Sequence, residues 1–264
     1  METLDIELPR MALLYGLCLL PWLLLRMLGL LLSRDIGISV LRMSVQLALV
    51  GFYLKWLFEL NNPWFNGLWI LVMLLVADFS ILRRAGLKVR YFALVTFIAI
   101  AFSILFSAAF LVFWVIRPAL FYDARYIVPL AGMILGNCLQ GNVIALERFY
   151  SALRKNENEY ATFLMLGATR IEAVRPYFRD AIKAAINPTI AGMATMGLVS
   201  LPGMMTGQIL GGSEPWVAVK YQIAIMVCIF TSTTLATIIN LKLSLKSAFN
   251  DFDVLRDEVI DKRS

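Results

Sequence analysis

The sequence predicts an all-α membrane protein that crosses the lipid bilayer several times, and three observations lead to that class. Of 264 residues, 60% are hydrophobic and 16% are charged, whereas soluble globular chains are about half apolar and a quarter charged. The apolar residues form runs long enough to cross the roughly 30 Å of hydrocarbon in a bilayer. Because lipid offers no hydrogen bonds to the backbone, such runs fold as helices that satisfy their own polar groups.

Seven apolar runs define the predicted spans of a single transmembrane domain over residues 1–264. Glycine or proline marks several of their ends, as at Pro63 and Pro118. The sixth run contains Pro202 and several glycines, so a span plus a re-entrant piece is an alternative there. The spans are approximately 11–32, 37–58, 64–82, 91–116, 127–149, 187–211 and 216–239.

Lysine and arginine predict the orientation of these spans. With seven spans, Arg34 and the basic segments 83–90, 148–183 and 240–264 all fall on one face. The positive-inside rule makes that face cytoplasmic, with the N-terminus outside and the C-terminal tail 240–264 inside. The net charge of +6 therefore reflects membrane topology, and we expect no nucleic-acid partner. The expected location is the bacterial inner membrane.

Several kinds of catalytic and metal site are excluded by residue type. The sequence has no histidine, which excludes histidine metal sites and Ser-His or Cys-His triads. Its three cysteines all lie in apolar spans without metal or redox spacing. A P-loop motif is also missing, so the chain does not bind ATP through a P-loop of its own and needs no cofactor itself.

The longest polar connection, 150–186, has the pattern of two helices separated by a glycine. Tyr160 and Leu164 belong to the apolar side of a short first helix, which Gly167 ends. Thr169 followed by Glu172 is a capping-box pattern that predicts the start of a second, basic helix. This segment has two alternative roles: it docks into another protein, or it lies flat on anionic lipid headgroups.

The turn 167–169 (GAT), between a short helix and a basic helix, resembles the coupling region of ABC-transporter permeases. Such a loop docks into a cleft of the ATP-binding subunit in those permeases. Their best-known pattern has Glu-Ala-Ala before the glycine, where this chain has Ala161, Thr162 and Phe163. By this resemblance, the coupling residues are Glu159, Ala161, Gly167, Ala168 and Thr169.

A resemblance over nearly the whole chain is to the FetB/YbbM family. It is carried by the runs 41–47 (LRMSVQL), 129–137 (PLAGMILGN), 201–212 (LPGMMTGQILGG) and 221–223 (YQI). The family is described as the membrane subunit of an ABC exporter linked to iron efflux, with plant relatives linked to aluminium tolerance. The resemblance implies a permease, acting as a homodimer, with Mg-ATP bound by a separate ATPase subunit.

Polar side chains inside the spans are candidates for a transport pathway, because they are costly in lipid. Arg42 and Gln46 share a helix face in the second span, although Arg42 has the alternative of reaching the cytoplasmic edge. Asp78 lies close in sequence to Arg83 and Arg84, so a structural ion pair is its alternative. In the fifth span a polar stripe faces either a water-filled path or a partner helix; its members are Asn137, Gln140 and Glu147.

Glycine patterns predict close helix packing or a gate. Gly132 and Gly136 form a GxxxG pair, which lets another helix approach closely. The segment 202–212 has glycine at every fourth position after Pro202, which predicts a short helix with one smooth face. Its pathway candidates are Met204, Met205 and Gln208; thioethers suit Cu(I) better than Fe(II), so the iron assignment depends on the resemblance. The gate or packing residues are Gly132, Gly136, Pro202, Gly203, Gly207 and Gly211.

Three other functions compete with an ABC-exporter permease. A standalone secondary transporter or channel predicts internal repeats and deep ionisable groups, and the sequence has no visible repeat. A membrane enzyme needs a cluster of catalytic side chains, and no such motif is present. A structural scaffold would not need the polar stripe.

Overall fold

A computed structural model describes residues 7–29, 33–250 and 252–259, and these residues form helices joined by short turns. The prediction of an all-α polytopic membrane protein is confirmed. Within the described ranges, the only β-type pairing consists of two isolated bridges. The helices are α1 (Leu8–Gly16), α2 (Leu19–Met27), α3 (Ser33–Leu60), α4 (Pro63–Arg84), α5 (Val89–Phe110), α6 (Ala124–Lys155), α7 (Glu157–Met165), α8 (Arg170–Thr195), α9 (Gly203–Leu210) and α10 (Pro215–Ala248).

Six helical stretches of the described chain are long and apolar enough to cross a membrane. The first, Pro9–Met27, combines α1 and α2, which break at Leu17 and Cys18. The predicted first span ran over 11–32, and residues 30–32 lie outside the described residues. The fourth stretch continues α5 through a π-helical turn, Leu111–Ile116. The remaining four are Asp35–Leu60, Pro63–Arg84, Ala124–Lys155 and Pro215–Ala248.

α6 and α10 run parallel through the centre of the bundle. Asn142 pairs with Asn240 at 3.0 Å, and eight residues later along α6 Tyr150 donates to Ser244 at 2.8 Å. Because both partners advance in the same direction, the two helices start at one end of the bundle and finish at the other. We call the end with Lys155 and Ala248 the basic end, and the end where α6 and α10 begin the far end.

α8 carries the chain back from the basic end, antiparallel to both central helices. It passes the level of Gly141, where a methyl group added to the glycine would lie 3.7 Å from the Ala185 carbonyl oxygen. The sulfur of Met196, just beyond the end of α8, lies 3.9 Å from the Gln222 amide nitrogen near the start of α10. The chain therefore passes along the bundle a seventh time, between Lys155 and Pro215.

The predicted span 187–211 is not one continuous helix, which corrects that form of the prediction; as in the alternative, the run is divided into two pieces. α8 starts at Arg170 and ends at Thr195, a short connection follows, and α9 is a separate helix of 8 residues. The chain turns because Met196 is extended and Gly197 adopts a φ of +85°. The seventh passage differs from the six apolar stretches because the first half of α8 is charged, with Arg175, Arg179 and Asp180 among its residues.

α3 lies at the periphery and is anchored mainly near the far end. Tyr53 stacks on Trp69 of α4 with ring centroids 4.0 Å apart, and Leu57 is fully buried beside Ala124. The connection to α4 is tied to α6 by the Asn61 side chain, which accepts a hydrogen bond from the Ala124 amide at 3.0 Å. Closer to the basic end α3 stands away from its neighbours, leaving a cleft.

Candidate functional site

The turn between α7 and α8 has a specific capped geometry at the basic end. The Gly167 amide donates to the Leu164 carbonyl and the Ala168 amide to the Phe163 carbonyl, both at 3.0 Å. This is a Schellman motif, in which the residue after the helix takes a left-handed conformation that suits glycine. Gly167 has a φ of +91°. The predicted glycine break is therefore confirmed as a defined turn.

Thr169 caps the start of α8 with the predicted capping box. Its hydroxyl accepts from the Glu172 amide at 3.4 Å, and the Glu172 carboxylate accepts from the Thr169 amide at 2.8 Å. Hydrogen bonds from Thr169 to the ionised carboxylate lower the pKa of Glu172 below its ordinary value. The two caps fix the geometry between α7 and α8, so the turn is a rigid projection.

The tip of this projection is apolar and uncovered. Met165 and Leu166 are each 79% exposed, and Ile171 is 72% exposed. The base of the projection is anchored instead: Tyr160 is 4% exposed, and the Tyr177 hydroxyl donates to the Glu159 carboxylate at 3.0 Å. We call Met165, Leu166 and Ile171 the turn tip. Of the predicted coupling residues, Glu159 belongs to the anchor, Ala161 is half-buried beside it, and Gly167, Ala168 and Thr169 form the turn.

The chain after α10, residues 249–250 and 252–259, forms a C-terminal strap against the turn. The Tyr160 hydroxyl donates to the Asp253 carbonyl at 2.7 Å, and Arg170 pairs with the Asp253 carboxylate at 3.1 Å. Burial raises the pKa of Tyr160 to about 12, so this hydroxyl keeps its proton under ordinary conditions. The predicted tail 240–264 begins as the last turns of α10, and residues 251 and 260–264 lie outside the described residues.

The strap also reaches the connection between α4 and α5. The Lys88 amide donates to the Val259 carbonyl at 3.0 Å, and the Tyr91 hydroxyl donates to the Glu258 carboxylate at 2.8 Å. The strap thus joins two neighbouring connections at the basic end. No sequence pattern indicated these contacts, because they join residues far apart in the chain.

A cleft of about 740 Å³ separates α3 from α4 and α6. Its lining includes the predicted pathway residues Arg42 and Gln46, together with Arg84 and Gly136. Gly132 also lines it, and a methyl group there would lie 3.2 Å from the end of the Met73 side chain. Of the predicted GxxxG pair, Gly132 therefore faces α4 closely, whereas nothing lies within 4 Å of a methyl group at Gly136.

The predicted polar stripe of α6 divides between two other clefts. Asn137 and Gln140 line a cleft of about 280 Å³ with residues of α8 and α10, and Met196 lines it as well. Glu147 lines a separate cleft of about 460 Å³ at the basic end, beside Arg84 and Arg154. Glu147 lies on the side of α6 that meets the connection after α4, whereas Asn137 and Gln140 lie on the side that meets α8.

Asp78 is buried, with 6% exposure, on the inner side of α4. Among the described residues it forms no ion pair with Arg83 or Arg84, and its Oδ1 atom has no hydrogen-bond partner. The structural ion pair considered from the sequence is therefore not present. Asp78 does not line the clefts that hold the other pathway candidates.

A buried polar network joins three helices in the core, and sequence reasoning missed it. Thr96 of α5 donates to Asn240 of α10 at 3.1 Å, and Asn240 donates to Asn142 of α6 at 3.0 Å. Asn142 in turn donates to the Cys138 carbonyl at 2.8 Å. The side chains of Thr96, Asn142 and Asn240 are at most 1% exposed. In the sequence, Asn142 stands two residues after Gln140. That position indicates a polar residue on one helix but does not indicate which other helices contact it.

α9 leaves its glycine face open within the described chain. A methyl group at Gly203 or Gly207 would meet no described atom within 4 Å, so the described residues do not make the predicted close helix contact. Pro202 directly precedes the helix and Gly211 ends it. The helix packs against α10, and the buried side-chain oxygen of Gln208 has no hydrogen-bond partner among the residues that the structure describes.

Met204 and Met205 are half-buried on α9. Within the described residues there is no group of three His, Cys, Asp or Glu side chains placed to hold a metal ion. In the described part of the chain, no such group of His, Cys, Asp or Glu side chains therefore accompanies the thioethers of Met204 and Met205.

Comparison with known proteins gives one family. A family model described as "Uncharacterised protein family (UPF0014)" matches residues 8–249. The chain is 39% identical to UPF0014 membrane protein slr1647 of Synechocystis over 75% of this chain and 76% of that one. It is 32% identical to the probable iron export permease protein FetB of Escherichia coli, over 83% of each chain.

A plant relative is also similar along most of its length. Protein ALUMINUM SENSITIVE 3 of Arabidopsis thaliana is 31% identical over 80% of this chain and 76% of its own. No solved structure matches the chain significantly.

Proposed function

The chain belongs to the UPF0014 family of membrane proteins, and from that premise we propose that it is the permease subunit of an ABC exporter in the bacterial inner membrane. A separate ATP-binding subunit, carrying Mg-ATP, drives transport. The exported substrate is iron or another metal ion, in line with the name of the Escherichia coli relative. The basic end faces the cytoplasm, as the positive-inside rule requires.

The turn tip is the observation that carries this proposal. Exposed apolar side chains usually scatter singly on a protein surface, whereas a contiguous apolar patch indicates an interaction site. Met165, Leu166 and Ile171 cluster on a turn fixed by a Schellman motif and a capping box. A rigid apolar projection at the basic end has the form needed to fit a cleft in a partner and transmit movement to the spans.

The alternative of a helix lying flat on lipid headgroups fits this geometry less well. A surface helix presents one long apolar face to the bilayer and its basic residues to water or phosphate. Here the base of the projection is instead buried against the strap, through Tyr160 and Phe249. Within the described segment 150–186, the exposed large apolar side chains are those of the turn tip.

Movement of the turn has a direct route into the bundle. α8 continues from the turn for 26 residues and packs against α6 and α10. Displacing its basic end would tilt the helix whose second half lines the 280 Å³ cleft. A homodimer would place two such bundles side by side, and the open glycine face of α9 is then available for the second copy.

Affinity purification in mild detergent, followed by mass spectrometry, tests the proposal. The expected result is an ATP-binding subunit at one copy per permease. Changing Leu166→Asp should remove that subunit while leaving the permease folded, because this exposed side chain lies outside the hydrophobic core. Leu120→Asp, at an exposed apolar residue at the far end, is the matched control and should retain it. Recovery of the wild-type chain alone, or loss of the subunit in both variants, would refute the proposal.

A further inference from the structure

Two of the clefts share one residue at the basic end of the bundle. Arg84, at the end of α4, lines both the 740 Å³ cleft beside α3 and the 460 Å³ cleft beside the end of α6. The smaller cleft opens among Arg154 and Lys155, close to where the chain leaves α6. The larger one extends from Arg84 to Trp69, more than halfway along α4. The two clefts therefore adjoin at Arg84, and we call them together the route.

The charges along this route are almost all of one sign. Four cationic side chains line it: Arg154 and Lys155 at the mouth, Arg84 at the junction, and Arg42 in the deeper cleft. The single acid on either lining is Glu147, at the mouth. The deeper cleft has no carboxylate, cysteine or histidine in its lining, and Gln46 adds an amide donor one helical turn from Arg42.

The position of Arg42 strengthens this interpretation. An arginine within an apolar span is expensive unless it faces a water-filled cavity or a counter-charge. Arg42 forms no ion pair with a described residue, and it lines the cleft. Its guanidinium is a five-donor group with no acceptor capacity. Such a group binds carboxylate or phosphate oxygens and repels a bare metal ion.

A pathway for a bare metal cation would need different chemistry. Hard cations such as Mg²⁺ take oxygen ligands, largely carboxylates, and Fe(II) takes carboxylate or imidazole. The described lining of the deeper cleft offers neither. We propose that this route binds an anionic solute bearing phosphate or carboxylate groups. A metal exported along it crosses as a complex with such an anion. The inference rests on the proposed transport function but concerns the substrate alone.

Anion binding is testable without the ATPase. The full-length permease is placed in nanodiscs of neutral phosphatidylcholine, and its thermal unfolding is followed as inorganic pyrophosphate is added at constant ionic strength. The expected result is a saturable rise in Tm. The double change Arg42→Gln and Arg84→Gln should raise the apparent Kd by about tenfold or more, because two charge-assisted contacts are removed.

Two further variants keep the outcome independent of folding. Arg125→Gln with Lys220→Gln removes two exposed positive charges at the far end and should leave the apparent Kd within about twofold, since distant surface charges are screened. Arg42→Lys with Arg84→Lys keeps the charge and should bind pyrophosphate more tightly than the glutamine pair. If the glutamine pair unfolds, the apparent Kd values of the wild type, the lysine pair and the far-end pair still test the inference.

Three results would overturn the inference. They are the absence of a pyrophosphate effect on the wild type, an equal loss in the far-end pair, and stabilisation only when phosphatidylglycerol is included in the disc. The last result would assign the arginines to lipid headgroups. An ATPase that co-purifies while pyrophosphate fails to bind would leave the proposed function intact and remove only this inference.

Discussion

Replacing Gly167 isolates the contribution of the turn geometry to partner binding. A side chain at this position would meet nothing within 4 Å, so the effect of a substitution arises from the backbone alone. At a φ of +91° an alanine is strained by about 1–2 kcal/mol, whereas asparagine tolerates left-handed conformations better. Since 1.4 kcal/mol is a factor of ten, Gly167→Ala should lower the equilibrium constant for the native turn by about 5- to 30-fold.

The affinity of the ATP-binding subunit should fall by up to that factor, because only the native turn binds it. The assay titrates the subunit onto the permease in nanodiscs and records both Kd and stimulated ATP hydrolysis. We expect the order Gly, Asn, Ala, Val from tightest to weakest, because β-branched residues are the least compatible with a positive φ. Gly51→Ala, on α3, is the control, since it too has open space for the methyl group. Equal binding by the valine variant and the wild type would show that the backbone conformation at Gly167 does not control partner binding.

Three further predictions concern the bundle. Asn240→Leu removes two buried hydrogen bonds and leaves their partners unsatisfied, so it should destabilise the protein by about 2–4 kcal/mol in a denaturation assay; an unchanged stability would contradict the network. Gly141→Ala should cost about 1–3 kcal/mol by overpacking, because its methyl group would lie 2.5 Å from a side-chain carbon of Thr233. Gly136→Ala, where space is open, should leave stability unchanged or raise it, and the reverse order would refute the packing. Tyr160→Phe should free the strap and increase hydrogen exchange at Asp253, since it removes the 2.7 Å hydrogen bond between them; unaltered exchange would contradict that role.

The sequence predicted the parts of this fold that depend on local patterns. Apolar runs located six stretches, the Thr169–Glu172 pair located the start of α8, and Gly167 located the turn before it. Each of these signals lies within a few residues of the structure it specifies. The all-α class could be assigned for the same reason, because apolar runs are local features of the sequence.

The continuous form of the span 187–211 was wrong because hydropathy averages over a window and does not record where a helix begins. α8 begins at Arg170, so its charged first half and its apolar second half form one helix that ends at Thr195. The apolar residues after it belong to a turn and to α9. This part of the chain therefore consists of α8, a turn and α9. A hydropathy window of fixed length places the boundaries between them at other residues.

The sites that the sequence missed depend on contacts between distant residues. Asn142 and Asn240 are 98 residues apart, and Tyr160 and Asp253 are 93 apart. Glu147 is separated from Asn137 and Gln140 for a related reason. Asn137 and Gln140 line a cleft with α8, whereas Glu147 lines a cleft beside Arg84. No pattern within one helix specifies which helix will cover it.

Transport in reconstituted vesicles shows directly whether the chain is an ATP-driven permease. The permease is incorporated into proteoliposomes with and without its ATP-binding subunit, and iron is supplied both as Fe²⁺ and as its citrate complex. We expect iron to move only when both subunits and Mg-ATP are present, and we expect no transport by the Leu166→Asp permease. Equal transport by the permease alone, without ATP, would refute the proposed function and identify a standalone transporter or channel.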